Sequence, residues 1–298
     1  MTLHPDGTPV APLPDLRFVA LDAAALGLEG PRVSYMEAGE STQRTVLCLH
    51  GIGTNAMGWR FSLAGLSSVA RVIAWNAPGY MLSDNFRATA PTPGQYGEVA
   101  IALLDALGLR GPVFVIGSSF GSMLAACLAA RHPDRVAKLV LLGTSRGQRW
   151  KGREGRAQML AMREASIAEG PMAFARTRTD NLVGAGTPEE VRALVRGVVA
   201  ATNPRGYLQA ARCTDAVDVV EDFGPRITCP TLCITGEADT VNPVAVGRAV
   251  ASSIPKARFV SPERIGHLAE IEAPIRTLGL LRDFLFREPS GPFDSPEA

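Results

Sequence analysis

Four short segments of this chain, RTVLCLHG, ARVIAWNAPG, PVFVIG and KLVLLGT, are apolar almost from end to end. A strand with one wet face alternates polar and apolar residues. One that is apolar throughout belongs to a sheet covered on both faces, and such sheets are mostly parallel with helices as crossovers. Helix-like stretches do fall between the strands: Trp59 to Ser67, YGEVAIALLDALGL with a glycine near its end, and Phe120 to Arg131. Upstream, LRFVALDA and PRVSYMEAG read as an opening antiparallel pair, and downstream CPTLCITG and ARFVSP bring the count to eight strands. The expected class is α/β, a mostly parallel eight-stranded sheet flanked by helices.

The rhythm breaks once. From Ser145 to about Phe223 there is no strand pattern, only helical text such as REGRAQMLAMREASIAEG and TPEEVRALVRGVVAATN. An insertion after the sixth strand lies over the carboxyl ends of the strands, where open α/β sheets bind ligands. The organisation expected is a core of residues 16–144 and 224–287, a helical cap over 145–223, and a last helix from about Ile271 to Phe286. Residues 1–15 and 288–298 are polar and proline-rich and read as flexible tails.

Charged residues make up 20% of the 298, apolar ones 46%, and the net charge is +1. No basic surface for nucleic acid follows from that balance. No apolar run is long enough for a membrane span, and the N-terminus lacks the regions of a signal peptide. The expectation is a cytoplasmic protein with a small-molecule partner; a homo-oligomer is compatible with the chain but nothing indicates one. Of five cysteines, Cys48, Cys127, Cys229 and Cys233 read as small buried hydrophobes. Cys229 and Cys233 share a strand face but no further ligand completes a metal site, so neither metal nor cofactor is called for.

The stretch VFVIGSSFGSMLAA joins a buried strand to a helix with Gly117-x-Ser119-x-Gly121 at the junction. Glycine and serine suit any such turn. The spacing says more: a serine held at the apex of a strained turn brings strand and helix backbones so close that only small residues fit two before and two after. This is the nucleophile elbow, and it makes Ser119, not Ser118, the candidate.

Serine needs a base within hydrogen-bond reach, and the chain has four histidines. His4 is in the tail. His132 ends the helix that Ser119 begins, about 18 Å away at 1.5 Å per residue. His50 precedes Gly51 at a strand end, where a backbone role fits. His267, in RIGHLAEIEAP after the final strand, is the candidate base. For the orienting acid, ITGEADTVNP supplies Glu237 and Asp239 at a strand end. Asp215 and Asp218, in the cap, lack that setting. Asp239 is favoured over a plain turn or capping role.

Together LCLHGIG, WNAPGYMLSD, IGSSFGS, ITGEADTVNP and IGHLAEIEAP resemble the α/β-hydrolase superfamily, in order from Val46 to Pro274. The chain order Ser119, Asp239, His267 is that of this fold. The resemblance implies an oxyanion hole made by the backbone N–H groups of Ile52 and Phe120, and acyl transfer through a covalent acyl-enzyme. A serine at the elbow is unlike the dehalogenases and epoxide hydrolases of the fold, which use aspartate there. Two segments, WNAPGYMLSD and ATNPRGYLQAARCTD, are similar to the enol-lactonase and small-esterase branch. The rival branch, carbon–carbon hydrolases of ring-cleavage products, carries a tryptophan after the histidine, where this chain has Leu268. It also has a Ser-Met-Gly-Gly elbow where this chain reads Ser-Phe-Gly-Ser. Asn76 and Met81 stand where Asp and Gly are usual in both.

An ester or lactone hydrolase is therefore expected, with carbon–carbon hydrolysis or a hydrolase-fold receptor of little turnover as the alternatives. Cofactor-free perhydrolysis is a side activity that the same triad supports. The cap arginines Arg146, Arg149, Arg153 and Arg156 suit either a substrate carboxylate or a solvated face. Trp150 suits either a pocket wall or a cap anchor.

Overall fold

The computed structural model describes residues 2–40 and 44–287. Its eight strands are β1 (Arg17–Ala20), β2 (Arg32–Ala38), β3 (Thr45–Leu49), β4 (Arg71–Trp75), β5 (Val113–Ser118), β6 (Val136–Leu142), β7 (Thr231–Ile234) and β8 (Ala257–Val260). They form one sheet in the order β1-β2-β4-β3-β5-β6-β7-β8. β2 runs antiparallel to both β1 and β4, and β4 through β8 are parallel. The all-apolar strand text has its explanation here. Along β3, Leu47 and Leu49 enter one core while Val46 and Cys48 enter the other; β4 divides Ile73 and Trp75 from Val72 and Ala74 in the same way. Alternate residues face opposite sides of a strand, so burying both faces leaves no polar position.

The helices follow their local signals. Pro93–Ala106 opens with Thr92 and Gln95 as a reciprocal capping box and Pro93 in the first turn. Phe120–Arg131 starts directly at the elbow and is buried along ten residues. The expected final helix is two: a single turn, Ala269–Glu272, then Pro274–Phe286. Pro274 is the reason, since proline cannot continue a helix but suits its first turn.

Between β6 and β7 lie the helices Gly152–Ala168, Pro171–Leu182, Glu189–Ala200 and Pro204–Asp215, with one short turn, Val219–Asp222. They cover the carboxyl ends of the strands. Thr202 Oγ1 donates to Gly53 O (3.1 Å) and Asn55 Nδ2 to Val198 O (2.9 Å). Gly206 meets Gly79 so closely that a Cβ on it would collide with the Gly79 backbone. Glu272 ties this layer to the loop of His267, accepting from the amides of Gly184 (2.8 Å), Gly266 (3.1 Å) and Leu268 (3.0 Å) and from Thr187 Oγ1 (3.0 Å).

Residues 2–15 depart from the flexible tail expected of them. His4 is buried with its ring edge-on to Phe61 at 5.3 Å, and Asp6 Oδ2 accepts from the Ile275 amide at 2.9 Å. Leu13 packs against the core. The proline-rich arm is held by residues far away in sequence. The tail expected over 288–298 lies outside the described residues. Among the described residues no helix is long and apolar enough to cross a membrane.

Candidate active site

Ser119 has φ 54° and ψ −115°, a strained conformation at the junction of β5 and the following helix. Both flanking glycines are required by contact. A Cβ on Gly121 would strike the Leu49 carbonyl of β3, and one on Gly117 would strike the backbone of Gly121. The turn is pinned by Ser119 N–H to Leu142 O (2.9 Å) and by Ser122 Oγ to Ser119 O (2.6 Å). Phe120 is the first residue of its helix, so its N–H is one of the amides that a helix leaves without an internal partner.

Ile52 lies in the loop after β3, and His50 holds that loop. Its Nδ1–H donates to Gly51 O (2.8 Å), and its Nε2 accepts from Ala77 N–H (3.0 Å). Burial pushes His50 down to about 4, so the ring stays neutral, as these two bonds require. Gly51 comes so near the elbow that a Cβ on it would lie 3.1 Å from Ser119 Cβ. Phe120 directly follows Ser119 in sequence, and Ile52 directly follows Gly51, which packs against that serine.

His267 and Asp239 form a buried pair. His267 Nδ1–H donates to Asp239 Oδ2 at 2.7 Å, while Asp239 Oδ1 accepts from the amides of Val241 (2.9 Å) and Asn242 (2.8 Å). The His267 ring lies over Gly143, where a Cβ would be 3.1 Å from its Cε1 and Nδ1. Gly143 follows Leu142, the residue that accepts from Ser119, so the imidazole and the serine both lie by the carboxyl ends of adjacent strands. His267 Nε2 is buried and makes no hydrogen bond among the described residues, Ser119 Oγ included. Such bonds are often open without substrate.

The other histidines lie elsewhere: His4 against Phe61, and His132 at 3.1 Å from Glu98. Glu237 is exposed. Asp218 takes both arms of Arg146 (2.8 and 2.7 Å), and Asp215 pairs with Arg156 at 3.6 Å. Arg149 grips Asp222 (2.7 Å) and Glu221 (3.1 Å), and Arg153 is exposed. Trp150 is exposed, donates to Gly147 O (3.0 Å) and carries the cations of Arg146 and Lys151 on its ring, which makes it an anchor. Asn76 uses an amide's two functions, accepting from Ala56 N–H (2.8 Å) and donating to Ser34 Oγ (3.0 Å). Met81, where glycine is usual, takes φ 39°. Among the described residues no cluster of three or more His, Cys, Asp or Glu could hold a metal.

Three polar residues near the site were not singled out from sequence. Glu270 is buried, and Ser118 Oγ donates to its Oε1 at 2.6 Å. Arg163 and Arg178 carry a signal that was there to read. Arg163 shares a helix face with Leu160 and Ile167, and Arg178 with Phe174 and Leu182. Each is an arginine on an apolar stripe.

A family model described as alpha/beta hydrolase fold matches residues 44–274. The chain is 28% identical over 280 residues to a 2-hydroxy-6-oxononadienedioate/2-hydroxy-6-oxononatrienedioate hydrolase of Paraburkholderia phymatum, covering 85% of this chain and 91% of that protein. It is 29% identical over 254 residues to a 2-hydroxymuconate semialdehyde hydrolase of Pseudomonas sp. strain CF600, covering 80% and 86%. Among solved structures it is similar to the enol-lactonase from Burkholderia xenovorans LB400, with a TM-score of 0.79, 25% identity and coverage of 91% of this chain and 100% of that one. With the sheet order, the elbow and the match over most of its length in agreement, the chain belongs to the alpha/beta hydrolase fold family.

Proposed function

We propose that this hydrolase cleaves an ester or lactone of a small organic substrate through an acyl-enzyme on Ser119. The observation that carries the reading is the strained elbow serine beside the buried His267–Asp239 pair. His267 takes the proton of Ser119 as its oxygen attacks the carbonyl carbon. The amides of Ile52 and Phe120 receive the developing oxyanion, and each such donor is worth about 10²- to 10³-fold in rate. Asp239 holds the tautomer of His267 and stabilises its cation. The alcohol leaves with that proton, and water activated by His267 releases the acid. Neither metal nor cofactor is needed for these steps.

Carbon–carbon hydrolysis is the second reading, favoured by the relatives named for 2-hydroxy-6-oxononadienedioate and 2-hydroxymuconate semialdehyde. Leu268 after the histidine and the Ser-Phe-Gly-Ser elbow favour the ester and lactone reading. The deciding comparison is wild type against Ser119→Ala, using p-nitrophenyl esters of rising chain length and a fluorophosphonate label. Turnover and labelling are expected in wild type and absent in the variant. Ester turnover that survives in Ser119→Ala rejects the mechanism. A wild type that ignores every ester but consumes a ring-cleavage dienoate moves the assignment to the second reading.

A further inference from the structure

The cap arginines sort into those that hold a carboxylate, exposed ones such as Arg153 and Arg176, and a pair unlike either. Arg146, Arg149, Arg156, Arg192, Arg196 and Arg212 each hold a carboxylate. Arg163 and Arg178, on two different helices, are drawn in from solvent and have no ion pair among the described residues. Arg163 has one hydrogen bond, from Nη1 to Thr214 Oγ1 at 2.7 Å. Arg178 has none among the described residues, and its Nε is fully buried. A charge partly withdrawn from water without a partner is costly, and a second of the same sign nearby adds to the cost. Burial pushes Arg163 below the usual guanidinium range; Tyr207 opposes this, the charge of Arg178 adds to it by less, and Tyr80 and Asp215 oppose it by less still.

The helix of Arg178 reaches the candidate site, since Phe174, one turn before it, is 3.5 Å from where a Cβ on Gly53 would be. Both guanidinium groups act on the buried phenol of Tyr80, which lies beside the Gly53 amide and whose ring stands edge-on to His50 at 4.7 Å. Tyr207 acts on Arg163, and its ring is 3.5 Å from where a Cβ on Gly53 would be. Gly53 directly follows Ile52.

We propose that Arg163 and Arg178 form a carboxylate-binding subsite, so that the preferred substrate carries a free carboxylate at the end remote from the bond that is cut. This rests on the acyl-enzyme reading for the identity of that bond. The subsite itself stands on the two unpaired guanidinium groups. Guanidinium forks match planar carboxylates, and a bound anion would offset the repulsion between the two cations.

The test pairs esters of equal length that end in either an acid or a methyl group. Mono-p-nitrophenyl glutarate is set against p-nitrophenyl valerate, and the adipate against the hexanoate. In wild type the acid member should have the higher kcat/KM. In Arg178→Met and Arg163→Met the acid-to-methyl ratio should fall by about 10- to 100-fold, mostly through KM, the scale of a hydrogen-bonded charge. In Arg176→Met, an exposed arginine of the same helix, the ratio should hold. A wild-type ratio of one or below, or a ratio that neither methionine variant moves, overturns the proposal.

Binding is read separately by thermal shift of Ser119→Ala with glutarate, adipate or inorganic phosphate. Stabilisation by the diacids that is lost on adding Arg178→Met supports the subsite even where no ester turns over, in which case the acyl-enzyme reading alone fails. Stabilisation by phosphate alone overturns the carboxylate assignment. No stabilisation at all, with esters turned over normally, overturns the subsite and leaves the hydrolase reading intact.

Discussion

Two carboxyl groups are buried close to His267, and the protein treats them differently. Asp239 is 4% exposed and accepts three hydrogen bonds, from two backbone amides and the imidazole. Glu270 is 5% exposed and accepts one, from Ser118 Oγ, while its Oε2 finds no partner among the described residues. Burial pushes Glu270 up to about 7, only partly opposed by Ser118 and by the nearby His267. Depth does not separate the two; the number of donors does. A buried carboxyl given few donors leans toward its neutral form.

The largest effect expected from this contrast is at Asp239. Asp239→Asn keeps the shape but offers His267 a donor where it needs an acceptor, so on the proposed mechanism the tautomer that takes the serine proton is lost. The rate constant for a p-nitrophenyl ester should drop by about 10⁴-fold, the scale seen when a triad loses this acid. Circular dichroism should stay that of wild type. Full activity in the variant would assign the orienting role to another carboxylate and remove the contrast.

Glu270 should show itself in stability instead. Its folded-state value, about 7, lies above the ordinary 4.5, so the folded chain binds more protons than the unfolded chain between those two values. The stability it contributes is therefore greatest at low pH and is lost as pH rises through that window. Urea unfolding of wild type and Glu270→Gln at pH 5 and pH 8 isolates the group. Relative to the variant, wild type should lose about 2 kcal/mol over that span. Parallel pH curves for the two proteins would mean that Glu270 ionises as it does in water, and the contrast with Asp239 would vanish.

The sequence made some of this legible and hid the rest for physical reasons. Strands buried on both faces leave unbroken apolar runs, and backbone collision at the elbow leaves glycines at a fixed spacing, so the sheet and the setting of Ser119 can be read locally. Asp239 can be located because it follows such a run, and His267 by elimination among four histidines, since the strand before it is only partly buried. Glu270 cannot be found that way: its partner Ser118 is 152 residues away, and nothing in HLAEIEAP marks which acid turns inward. The packed arm around His4 depends likewise on Phe61 and Ile275. The cap misled by its richness in arginine. The four nearest its start drew attention, although the acids that pair with three of them are some 60 to 70 residues downstream. The informative pair was marked by position on an apolar stripe, not by charge.

The smallest effect expected is at Ser118, and it sharpens the contrast because it concerns donor number alone. Ser118→Ala removes the one hydrogen bond that Glu270 accepts, a bond that favours the charged form. Without it the folded-state value must rise further, and the pH at which the loss of stability levels off must move up with it. At pH 5, where Glu270 is neutral in the folded chain, the variant forfeits a hydrogen bond between uncharged groups. At pH 8 it forfeits one to an anion, about twice as strong. The cost of Ser118→Ala should thus grow from about 0.5 kcal/mol at pH 5 to about 1–2 kcal/mol at pH 8, read by urea unfolding. The same substitution in Glu270→Gln should show no such growth. A cost equal at both pH values in the wild-type background would mean that the serine is filling space, and that something other than donors holds Glu270 where it is.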